Sequence, residues 1–145
     1  MKQHLIQAAE RGNAEAQFNL AVMYENGALD SRYVAEGSRP EAARWFLAAA
    51  EQGLARAQVK LAEIYAAEPD QPNALLKACK WYLLAARGLR GGHLQKVQAA
   101  YQRVAVCLTP VQTAEVGRLV QDWQPKGVPI AAMSDRPDTI GRPLA

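Results

Sequence analysis

The stretch Ala14-Glu15-Ala16-Gln17-Phe18-Asn19-Leu20-Ala21-Val22-Met23-Tyr24 returns 41 residues later as Ala55-Arg56-Ala57-Gln58-Val59-Lys60-Leu61-Ala62-Glu63-Ile64-Tyr65. Ala14, Ala16, Gln17, Leu20, Ala21 and Tyr24 recur unchanged, many of them three or four residues apart. That spacing places them on one helix face, so a helix face is being repeated. Just upstream, Ala8-Ala9-Glu10-Arg11-Gly12 matches Ala49-Ala50-Glu51-Gln52-Gly53 in the same register. A shift of 36 aligns Ala42-Ala43-Arg44-Trp45-Phe46-Leu47 with Ala78-Cys79-Lys80-Trp81-Tyr82-Leu83, which puts a five-residue insertion between the two segments. The repeating unit is a helix pair whose length varies only in its loop.

Local punctuation agrees with this division. Gly12, Gly53 and Gly88 each follow a helical pattern, where a left-handed residue past the helix end is expected. Ser38-Arg39-Pro40-Glu41 reads as a capping box ahead of Trp45. Thr109-Pro110-Val111-Gln112 repeats the device, with Thr109 at the N-cap and Pro110 in the first helical position. Helices are expected over 2–11, 14–26, 39–52, 55–67, 73–87, 93–108 and 110–123. Alanine at 16, 21, 57 and 62 lets helices approach closely, while Leu20, Tyr24, Leu61, Tyr65, Trp45 and Trp81 fill the volume between pairs.

Composition sets the frame around these repeats. Half of the 145 residues are apolar, enough for one buried core, and alanine dominates them, which points to an all-α fold. Seventeen basic against 14 acidic residues leave a net charge of only +3, with the two signs interspersed. Such a surface is not a nucleic-acid footprint. Cys79 and Cys107 stand far apart with no histidine nearby, and are read as buried small hydrophobes ahead of a disulfide. No apolar run approaches the roughly 18 residues of a membrane span, and Met1 to Gln7 lacks the apolar core of a secretory leader. A soluble cytoplasmic protein with no cofactor is expected.

The string Ala-x-Ala-Gln-x-x-Leu-Ala-x-x-Tyr at 14–24 and 55–65, followed by Ala-Ala-x-Trp-Phe in the first copy and Ala-Cys-x-Trp-Tyr in the second, resembles the Sel-one-like repeat (SLR) family, relatives of the tetratricopeptide repeat. The resemblance implies an α/α solenoid, a superhelix of stacked antiparallel helix pairs, working as a protein–protein interaction module or adaptor. It divides residues 1–123 into a partial repeat at 2–13, repeats at 14–54 and 55–89, and a degenerate helix pair at 90–123. Ala21 and Ala62 stand where the family often has glycine, and the 25–40 loop is longer than usual. The first helix of the partial repeat is missing, which leaves an apolar face without its usual neighbour and offers a surface for a homodimer. Residues 124–145 carry four of the eight prolines with no helical period, and read as a flexible or extended tail.

Sites for chemistry are few. His4 and His93 belong to no metal or triad pattern and read as surface residues, and Gly91-Gly92 lacks the lysine and strand of a phosphate loop. Glu10, Glu51 and Glu63 fit surface ion pairing with basic neighbours on their own helices. A second function class, a small hydrolase or ligand-binding protein of β-lactamase-like kind on the same scaffold, exists among cysteine-rich relatives, whose paired cysteines this chain lacks. The primary reading is therefore a partner protein or peptide held on the concave surface made by the first helix of each pair. The residues between the packed positions of those helices select Glu15, Phe18, Asn19, Val22 and Glu25 from one repeat and Arg56, Val59, Lys60 and Glu63 from the next. Phe18 beside Asn19 is the candidate anchor, an aromatic to bury and an amide to bond a peptide backbone. The other reading of Phe18 is a residue packed under the 25–40 loop.

Overall fold

A computed structural model of the chain describes residues 2–26 and 39–126, and within them the structure is helical with no strand. The helices are α1 (Lys2–Glu10), α2 (Ala14–Glu25), α3 (Arg39–Glu51), α4 (Ala55–Ala67), α5 (Ala74–Ala86), α6 (Gly91–Ala105) and α7 (Pro110–Asp122). All-α architecture and each expected helix are present, with ends shifted by no more than two residues except that of α6, which stops three residues before the expected 108. The Ser38 cap and most of the long loop fall outside the described residues.

Helix ends follow from local chemistry. Gly12 and Gly53 both take φ of 100°, a conformation open to glycine at little cost. Around them the N–H of Gly12 donates to Ala9 O and that of Asn13 to Ala8 O, while Gly53 and Leu54 repeat the pair onto Ala50 and Ala49. These are Schellman closures, and they satisfy carbonyls left over at the ends of α1 and α3. Gly88 departs from expectation, because its φ is not positive and α5 ends in short three-residue hydrogen bonds instead. What makes glycine fit there is space, since a Cβ at Gly88 would lie 3.2 Å from the Cβ of Ala55. The Thr109 box forms as read, with Gln112 N–H donating to Thr109 Oγ1 at 3.1 Å and Thr109 N–H to Gln112 Oε1 at 2.9 Å. Asn13, which the sequence pattern did not mark, caps α2 by accepting from Ala16 N–H at 2.9 Å.

Each helix from α1 to α6 packs on its neighbours in sequence, as stacked pairs require, and α7 folds back onto α5. Between them lie Ala21, Ala57 and Ala62 at 0 % exposure, where only a methyl separates neighbouring backbones, with Leu20, Leu61 and Phe46 filling the spaces. Two expected core residues are less buried. Trp45 is half-buried while its neighbour Phe46 is fully enclosed, and Tyr65 is half-buried although Tyr24 is covered. Trp81, by contrast, is closed off by Trp123, whose ring meets it edge-on at 6.2 Å.

The ends of the array are finished differently. On α1, Leu5, Ile6, Ala8 and Ala9 pack inward, whereas Gln3, His4, Gln7 and Glu10 are exposed. The outward face of α1 is therefore polar, not the open apolar face expected from the sequence. At the other end, Arg87 donates to Val120 O at 3.1 Å, and Lys126 N–H donates to Glu51 O at 2.7 Å. The Lys126 ammonium also lies 3.2 Å from the Glu51 carboxylate, which finds its partner there and not on its own helix. The first residues of the expected tail are thus seated on the α3–α4 turn, while 127–145 fall outside the described residues.

Candidate functional site

Helices α2 and α4 are copies of one another in sequence, so equivalent positions face the same way. Glu15, Phe18, Asn19 and Val22 correspond to Arg56, Val59, Lys60 and Glu63, spaced as one helical stripe. The stripe of α4 lines a cavity of about 260 Å³, into which Phe18 also projects from α2. The opposite wall comes from α6, through His93, Lys96, Val97 and Ala100, with Tyr82 of α5 and Leu89 of the following turn at the base. Five of the nine sequence-selected residues, Phe18, Arg56, Val59, Lys60 and Glu63, therefore meet at this one cavity.

The other four stand around it. Glu15 forms an ion pair with Arg56, and Glu25 lies 3.1 Å from the Lys60 ammonium, so two acids of α2 hold two cations of α4. Val22 is half-buried against the core, and Asn19 is exposed outside the cavity lining. Phe18 is itself half-buried, edge-on to Phe46 at 5.6 Å, with the Arg56 guanidinium 4.8 Å above its ring. Lys60 similarly sits 5.8 Å from the Phe46 ring. Exposed contacts of these kinds contribute roughly 0–1 kcal/mol each, so they orient the cations more than they stabilise the fold.

The sequence selection missed the whole α6 wall. His93, Lys96, Val97 and Ala100 follow the same i, i+3, i+4, i+7 spacing as the stripes of α2 and α4, and that spacing was the available signal. His93 is exposed, as expected of a surface residue, yet it stands on the cavity rim. Tyr82 is only 4 % exposed, and burial followed by the Glu63 carboxylate holds its phenol above the usual tyrosine range. An apolar floor of Phe18, Val59, Leu89, Val97 and Ala100 under a charged rim suits the capture of a side chain.

Away from the cavity the two thiols differ. Cys79 is buried in α5 and burial, reinforced by Cys107, pushes it up to about 11, whereas Cys107 is exposed and not the buried residue expected. Both are free thiols. Among the described residues no group of three or more His, Cys, Asp or Glu is placed to hold a metal ion, and no helix is long and apolar enough to cross a membrane.

Helix pairs that stack in sequence, close on glycine and turn matching stripes toward a shared groove define a protein of the α/α solenoid class. A family model, the Sel1 repeat, matches residues 14–54 and 55–88, just over half of the chain. The chain belongs to the Sel1 repeat family, whose repeats generally serve as protein-interaction modules. Neither the comparison with curated proteins nor that with solved structures returned a match.

Proposed function

We propose that this chain is a non-catalytic adaptor whose groove, formed by α2, α4 and α6, holds a segment of a partner protein. The observation that carries the reading is the shared cavity, where Phe18 of α2 meets the stripes of α4 and α6 on an apolar floor ringed by charges. In the two copies the packing residues match while the groove residues differ in charge and size, as Phe18 against Val59, Asn19 against Lys60 and Val22 against Glu63 illustrate. Packing residues build the scaffold and groove residues read the partner. In this proposal the repeat domain spans 1–123 and the segment from 124 onward is an appendage.

The test is affinity capture from the native organism with the full chain as bait, followed by mass spectrometry and measured binding of the captured protein. Asn19→Ala, Lys60→Glu and Phe18→Ala combined should weaken that binding, with at least one single change costing over roughly 1 kcal/mol. Because Phe18 also touches Phe46, circular dichroism and a melting curve accompany each variant. Undiminished binding by the folded triple variant removes the groove as the contact surface.

A further inference from the structure

The charges around the cavity are not evenly satisfied. Arg56 and Lys60, on the α4 side, are matched by Glu15 and Glu25 of α2. Lys96, on the α6 side, forms no ion pair among the described residues, and His93 stands one helical turn before it on the same wall. At the base, Tyr82 is 4 % exposed and its hydroxyl forms no hydrogen bond among the described residues, although a buried hydroxyl ordinarily finds a partner. An unspent ammonium and an unspent buried hydroxyl thus border the same apolar space, both able to donate to an acceptor.

The volume narrows the choice further. About 260 Å³ falls below the size of most small-molecule pockets, roughly 300–1,000 Å³, and matches one bulky side chain. From these complementarities we infer that the groove takes a partner segment carrying one large apolar side chain, seated between α4 and α6, with a carboxylate beside it that pairs with Lys96. This deepens the adaptor reading and rests on it. The apolar side chain displaces water from the floor, and the adjacent acid gives Lys96 the counter-charge that Arg56 and Lys60 already possess. Binding of this kind fixes both position and direction of the segment, because among the described residues lining the cavity the cation without an ion pair stands on the α6 wall.

The experiment uses the full chain and three short fluorescein-labelled peptides on one Gly/Ser background. The first has a central Trp flanked by Asp, the second the same Trp flanked by Lys, and the third a central Ser flanked by Asp. Fluorescence polarisation should show the first binding at least about tenfold more tightly than either of the others, with the gap to the Lys-flanked peptide narrowing in high salt. Lys96→Glu, at an exposed position, should invert the preference between the Asp-flanked and Lys-flanked Trp peptides. Ala100→Phe should fill the cavity and abolish binding of both, with circular dichroism confirming the fold. Equal affinity for the Asp-flanked and Lys-flanked peptides, no preference for Trp over Ser, an unaltered preference in Lys96→Glu, or no binding by any peptide overturns the inference. The adaptor reading is judged separately on the captured partner, so loss of that binding in the α2 and α4 variants without any acidic-peptide preference rejects the inference and leaves the groove standing.

Discussion

The side-chain amide of Gln17 donates to the carbonyl of Ala9 over 3.0 Å, and 41 residues later Gln58 donates to Ala50 over 3.1 Å. Both glutamines are buried, and in each case the carbonyl belongs to the last turn of the preceding helix. That carbonyl already accepts from Gly12 or Gly53, so the glutamine N–H donates to its second lone pair and joins the end of one helix to the body of the next. Gln17 carries an additional bond, accepting from Gln52 Nε2 at 2.9 Å, which ties the start of the 14–54 repeat to its end.

Removing these amides should be costly in a definite order. Gln58→Ala is expected to lower stability by about 1–3 kcal/mol, and Gln17→Ala by more, because it also strands the Gln52 amide. Urea denaturation of the two variants checks this. A larger loss for Gln58→Ala would show that the Gln17–Gln52 bond contributes nothing.

Burial separates the aromatic residues of α3 and α5. Phe46→Ala and Trp81→Ala, both in enclosed positions, should each cost about 3–5 kcal/mol, whereas Trp45→Ala should cost clearly less because its side chain is half-buried. Chemical denaturation midpoints at unchanged slope give the comparison. Equal losses for Trp45 and Trp81 would mean that Trp45 is enclosed.

Three glycines should respond with different signs. Gly53→Ala must hold a left-handed backbone and is expected to lose about 1–2 kcal/mol. Gly88→Ala meets the Ala55 methyl at 3.2 Å and should lose stability without any backbone strain. Gly117, within α7 and with open space around a Cβ, should gain about 0.5–1 kcal/mol as alanine. Melting temperatures read all three, and destabilisation by Gly117→Ala would contradict the open space seen there.

The thiols predict a labelling pattern and a pH dependence. At pH 8 a thiol reagent should modify Cys107 in the native protein and reach Cys79 only after unfolding. Cys79 titrates at about 11 when folded and near 9 when unfolded, so between those values the unfolded chain binds fewer protons. Stability contributed by this thiol is full below pH 9 and falls as pH rises toward 11. Cys79→Ala should flatten that part of the profile, and an unchanged slope would remove Cys79 as its source.

Much of the architecture was legible because its causes are local. The recurrence of Ala16, Leu20 and Ala21 at 57, 61 and 62 fixed the helix faces, Gly12 and Gly53 fixed the helix ends, and Thr109 with Gln112 fixed a cap, each through contacts within a few residues. The α2 and α4 stripes were legible for the same reason.

Everything that depended on what lies across a gap was decided by the tertiary structure. Trp45 and Phe46 are adjacent apolar residues about 100° apart around a helix, and only the position of the neighbouring helices encloses Phe46 and leaves Trp45 partly open. Gly88 reads as another helix stop, yet its role is set by Ala55, 33 positions earlier. The α6 wall has its own stripe in the sequence, but nothing in that stripe says that Lys96 will face a cavity shared with Phe18 and Glu63. Periodicity determines which face a helix buries; the stacking of successive pairs determines which residues meet across the groove, because that depends on distances between segments far apart in the chain.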